Sequence, residues 1–142
     1  MATSTVPAFK AALLAALQAR PTLSTVQVTY GAPLPSPADE YVWLADADGE
    51  QETAALGAQR REEYYDLTVY VAVYRAGEDQ QATTERAFEL VAELEEVLRA
   101  DATVGGVVRV AVVAGPFRLE EMASDTHRGA QVTVTVAVRA RI

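Results

Sequence analysis

Two stretches of this chain alternate apolar and polar side chains over long spans. Between 63 and 74, Glu63, Tyr65, Leu67, Val69, Val71 and Val73 share one parity, and Tyr64, Asp66, Thr68, Tyr70, Ala72 and Tyr74 share the other. Between 131 and 142, Val132, Val134, Val136 and Val138 alternate with Thr133, Thr135, Ala137 and Arg139. Strand side chains point to opposite faces with a period of two, so both stretches predict long strands with one packed and one semi-polar face.

Two other segments carry a helical period. Phe9, Leu13 and Leu17, joined by Val6 and Leu14, predict a helix over 6–19, with Thr5 placed to cap it and Pro7 in its first turn. Phe88, Val91, Leu94 and Leu98 predict a second helix over 81–100, with Glu85, Glu89, Glu93 and Glu96 turned to solvent. Shorter strands are expected over 25–30, 40–45, 107–114 and 117–123. Pro33, Pro35 and Pro37 make 31–37 a stiff surface loop. Residues 46–59 are acidic and aperiodic, and are expected to be a mobile hairpin connection or projecting loop carrying Asp46, Asp48, Glu50 and Glu52. The order α-β-β-β-α-β-β-β predicts an α+β fold, a mainly antiparallel sheet with both helices packed on one face. Residues 1–142 read as a single domain.

Composition narrows the chemistry. A net charge of −8 gives no bulk attraction to nucleic acid or an anionic membrane. With no cysteine, disulfides and thiolate metal sites are excluded, and one histidine leaves little for an imidazole site or a triad. The start of the chain lacks a basic n-region, no apolar run reaches membrane-spanning length, and the protein is expected to be soluble and intracellular at synthesis.

Few constellations suggest a reaction. Residues 46–52 have acidic spacing reminiscent of a calcium loop, but Gly49 stands fourth where such loops need a sixth-position glycine. Ser124, Asp125 and His127 lie within one turn, whereas triad partners converge from separate elements. Gly105-Gly106 precedes a strand and offers an anion no helix N-terminus. No catalytic residue, metal site or cofactor is therefore expected.

Interface chemistry is better represented. Arg60, Arg61, Arg128, Arg139 and Arg141 flank the two long strands and suggest a basic strip, or simply edge charges that discourage aggregation. Tyr64, Tyr70 and Tyr74 share the polar face, where tyrosine suits a contact surface.

The leading amphipathic helix, the Pro-rich loop and the long strand ending in Tyr74-Arg75-Ala76-Gly77 form a recognisable layout. With the helix from Ala87 to Leu98 and the Thr/Val C-terminal strand, the chain resembles the tail terminator (tail completion) proteins of long-tailed bacteriophages and phage-like particles. The resemblance implies a virion protein of the head-proximal tail, assembled in the host cytoplasm. It would form a homo-oligomeric ring, usually a hexamer, that caps the tail tube protein, ends tube polymerisation and offers a surface for head–tail joining. DNA would pass through the channel without specific binding. The alternative is a head–tail connector or neck ring; a small-molecule-binding module or an enzyme has less in its favour.

Overall fold

The computed structural model describes residues 3–33, 39–57 and 59–142; the expected Pro-rich loop from residue 34 to 37 lies outside them. In chain order the elements are α1 (Val6–Gln18), a 3-10 turn (Pro21–Leu23), β1 (Gln27–Thr29), β2 (Glu40–Ala55) and β3 (Arg60–Ala76). They are followed by α2 (Gln80–Ala100), β4 (Val110–Val113), β5 (Arg118–Ala123) and β6 (His127–Arg141). This is the α+β order the sequence predicts.

The strands form one six-stranded sheet in the order β1-β2-β3-β6-β4, with β5 also on β6. Every pairing is antiparallel except the short parallel contact of β1 with β2. The two long strands lie side by side, from Glu62 opposite Arg141 to Ala76 opposite His127. Their matched parity puts Leu67, Val69, Val71 and Val73 beside Val136, Val134, Val132 and Ala130 in one core with Phe9, Leu13 and Leu17 of α1 and Leu90, Leu94 and Leu98 of α2. Both helices thus cover one face, and the other face bears no helix.

Three local expectations change. Phe88 is exposed; the buried side of α2 runs instead through Thr83, Ala87, Leu90, Val91, Leu94, Val97 and Leu98. Thr5 stands at the N-cap position of α1, yet its hydroxyl makes no capping bond there. It donates to Glu63 Oε1 at 2.6 Å, as does its backbone N–H at 2.9 Å, while Ser4 Oγ accepts from Val6 N–H at 3.1 Å. A carboxylate from β3 is thus held beside the helix N-terminus, where the helix dipole favours negative charge. Glu93, expected in solvent, accepts from Arg20 and from Thr22 at 2.7 Å and ties α2 to the 3-10 turn.

The largest correction concerns 46–59. These residues are no loop: β2 continues to Ala55 paired with β3, with irregular steps between Leu44 and Ala47 and between Thr53 and Ala55. The local pattern hides this because the strand changes parity midway. Leu44 faces Val69 and Ala47 faces Leu67, so Ala45 and Asp46 share the space opposite one residue in a β-bulge. Lys10 of α1 donates to the Ala45 carbonyl at 2.9 Å and fastens that bulge to the helix layer. Beyond it, Ala47, Gly49 and Gln51 lie on the helix side, and Asp48, Glu50 and Glu52 on the open side.

Candidate functional site: the open sheet face and its hairpin

The helix-free face is built from the even positions of β3 and the odd positions of β6. Toward the β1 end it carries a row of rings. Trp43 stacks on Tyr70 with centroids 4.7 Å apart and on Tyr41 at 5.1 Å, and Tyr41 stacks on Tyr74 at 6.0 Å. Register explains the row, because Trp43 sits opposite Tyr70 and Tyr41 opposite Ala72, a residue small enough to let the rings close over it. Such contacts each add about 0.5–1.5 kcal/mol beyond area burial. Gly129 leaves room beside them: a Cβ there would lie 2.8 Å from the Tyr74 ring as placed. Tyr70 and Tyr74 are therefore surface residues rather than core beneath a helix, as their parity predicts. Trp43 covers other rings.

The β2–β3 hairpin forms the other end. Here Asp48 faces Asp66, Glu50 faces Tyr64 and Glu52 faces Glu62. Like charges directly opposite one another oppose pairing. Glu62 is compensated, since Arg141 Nε donates to it at 2.7 Å and Arg109 approaches at 3.5 Å. Asp48 and Asp66 have no ion-pair partner among the described residues. With Val110, Val112, Ala137 and Arg139 they border a shallow depression of about 420 Å³.

Of the predicted basic residues, Arg60, Arg61, Arg139 and Arg141 gather at this hairpin, and Arg128 does not. Arg128 lies at the opposite end of β6, thirteen residues from Arg141, or roughly 40 Å at the usual rise per strand residue. There it donates to the carbonyls of Ser124 at 2.7 Å and His127 at 3.0 Å. Arg61 donates to Gln51 Oε1 at 2.9 Å, and the Arg139 guanidinium sits 5.1 Å from the Tyr64 ring centroid. The strip is thus a mixed cluster in which cations and acids interleave. Glu62, Asp66 and Arg109 complete it; sequence reasoning missed them because cross-strand pairing alone brings them there.

Beneath the hairpin, Glu63 is 4% exposed. Besides its bonds from Thr5, its Oε2 accepts from Gln51 Nε2 at 2.7 Å, and Tyr65 OH lies 3.1 Å from Thr5 Oγ1. Burial pushes the Glu63 carboxyl up, but the bonds from Ser4, Thr5 and Gln51 together pull it below the ordinary glutamate range. Burial pushes the Tyr65 phenol up to about 12. This network locks α1 to the hairpin.

No protein-family model matches the chain, and no curated protein matches it. Solved chains share its fold, two of them as follows. One belongs to the virion of a native gene transfer agent particle; it aligns over 98% of this chain and 100% of its own, with a TM-score of 0.51 and 15% identity. Another aligns over 97% of this chain and 96% of its own, with a TM-score of 0.52 and 16% identity. The shared feature is the fold, along its whole length.

The remaining candidate residues follow local logic. Ser124 Oγ accepts from His127 N–H at 3.1 Å, and Thr126 Oγ1 lies 2.8 Å from His127 Nδ1, so this group organises the β5–β6 turn. Among the described residues no group of three or more His, Asp or Glu is arranged to hold a metal ion. The Asp46–Glu52 acids are spread along an extended strand, with Asp46 in the bulge.

Proposed function

We propose that this chain is a structural protein of a phage-like particle, acting as a tail terminator. Copies assemble into a ring, six in the usual arrangement, that caps the last ring of tail-tube protein and ends its polymerisation. The ring's other side presents a surface for head–tail joining. The observation that carries this reading is the end-to-end likeness of the fold to a chain in a gene transfer agent virion. An open sheet face and an interleaved cluster of charges on its hairpin accord with work done by contact surfaces. Acids on the hairpin face would repel DNA passing through the channel.

A pull-down with purified tail tubes and, separately, with portal-side assemblies tests the role. Binding to tube ends supports a terminator; binding only to the portal side would replace this reading with a neck ring. Reversing Arg60 and Arg61 to Glu is expected to weaken assembly at least tenfold with an unchanged monomer melting temperature. Particles of normal yield from that variant would remove these arginines from the contact.

A further inference from the structure

Both outer edges of the sheet carry unused strand groups, and their chemistries complement each other. On the hairpin side, the parity of the backbone can be read from two contacts. Arg61 and Ile142 exchange backbone hydrogen bonds at 2.8 and 3.0 Å, so odd β3 residues turn toward β6. Tyr74 N–H donates to the Asp39 carbonyl at 2.7 Å, so even ones turn toward β2. Asp48, Glu50 and Glu52 face even residues; Ala47, Gly49, Gln51 and Thr53 therefore turn their N–H and C=O groups outward. β1 covers only Tyr41 to Trp43.

At the opposite margin, Ala114 N–H donates to the Thr135 carbonyl at 3.1 Å, and Arg118 faces Thr133. The same alternation turns Val113, Leu119 and Glu121 outward; Ala111 N–H is already taken by the Ala102 carbonyl at 2.8 Å. Five of the eight large apolar residues exposed in the described structure, Val110, Val112, Phe117, Leu119 and Met122, gather along this margin. Charge differs in sign between the two edges. Residues 45–57 hold four acids and no Lys or Arg, whereas residues 102–118 hold Arg109 and Arg118 and no acid. Glu120 and Glu121 beyond are engaged by Arg118 at 3.1 Å and by Thr84 at 2.5 Å.

We infer that the partner of the β2 edge is the β4–β5 margin of a second copy of this chain, joined by main-chain strand pairing. This rests on the ring reading above and specifies its interface. Successive pairings are antiparallel, so β4 and β5 run opposite to β2. A rotation about an axis near the strand direction keeps each strand's sense, and the neighbour's margin then meets β2 antiparallel. Because the joined patches differ, the contact is head-to-tail and repeats around a ring. The acids that protect a free edge from wrong partners here select the arginine-bearing one.

The absence of native cysteine makes the test direct. Asp48→Cys with Val112→Cys puts one thiol on each edge at the same height along the sheet, the level of Asp66 and Ala137. Within one chain the edges are three strand spacings, or about 14 Å, apart, too far for a disulfide. Oxidation of the double variant is expected to give a ladder ending at the ring, and each single variant no more than dimers. In parallel, Glu50→Lys/Glu52→Lys and Arg109→Glu, whose positions share one height along the sheet, should each weaken association at least tenfold by sedimentation, and their combination should restore most of it. Thermal melting of each variant separates lost contact from lost fold. No ladder beyond the single variants, or no rescue, overturns the inference. If native mass still shows a discrete ring while both tests fail, the ring stands and this interface falls. If the chain stays monomeric to millimolar concentration and gives no ladder, the interface falls, and tube-end binding alone decides the ring reading.

Discussion

Glu63 shows how one residue joins two layers. A buried carboxylate costs several kcal/mol to desolvate unless its lone pairs are filled, and here Thr5 and Gln51 fill them. Glu63→Ala is expected to destabilise the fold by about 1–3 kcal/mol in urea unfolding, since it orphans those donors. The pH dependence follows from the depressed carboxyl. Its contribution is complete above the unfolded-state value and is lost as acid carries the pH down through the lower folded value. Glu63→Gln should flatten the acid limb of the stability profile; an unchanged limb would assign acid sensitivity to other carboxylates. Gly49 makes a second residue-scale test. An added Cβ would lie 2.0 Å from the Tyr64 carbonyl oxygen and 2.5 Å from Tyr65 Cβ, whereas at Gly129 the obstacle is a ring that can swing aside. Gly49→Ala should therefore cost more than Gly129→Ala, by at least about 1 kcal/mol, in paired thermal melts.

At the scale of elements, the hairpin is part of the packed sheet up to Gln51 and Glu63, and only its tip is dispensable. Replacing residues 53–61 by an Asn-Gly turn should keep the melting temperature within a few degrees, while removing Asp48–Ala55 should unfold the adjoining end of the sheet. Circular dichroism melts distinguish the two. This reverses what the polar texture of 46–59 suggests, and the reason is physical. Valine and threonine alternation announced β3 and β6 because one face of each is buried along nearly its whole length. β2 beyond Trp43 has little buried apolar area to announce itself, and its parity breaks at the bulge. Helix positions were legible for the same reason, from Phe9, Leu13 and Leu17 inward. Phe88 misled because an aromatic at helical spacing need not lie on the packed stripe. Tyr70 and Tyr74 were legible as surface from parity, but their stacking on Trp43 and Tyr41 depends on cross-strand register, which no single strand encodes. The cluster of Arg60, Arg61, Arg139 and Arg141 has the same origin: the ends of β3 and β6 meet only once the register is set.

For the whole molecule, the sheet has one face committed to helices and one uncovered, with edges of different chemistry. Native mass spectrometry across a concentration series is expected to show a discrete ring-sized species that falls apart as salt rises, because its edges carry opposite charge. A species insensitive to salt would place the association on the aromatic row instead. The two-for-one step at Ala45 and Asp46 also bears on inheritance. Dropping one of those two codons would remove the bulge and leave Asp48, Glu50 and Glu52 opposite Asp66, Tyr64 and Glu62 on the open side. Codons gained or lost in pairs near the hairpin tip leave each side chain on its own face. Insertions and deletions in descendants of this gene should therefore be even-numbered at the tip, and single-codon losses in β2 should fall at the step.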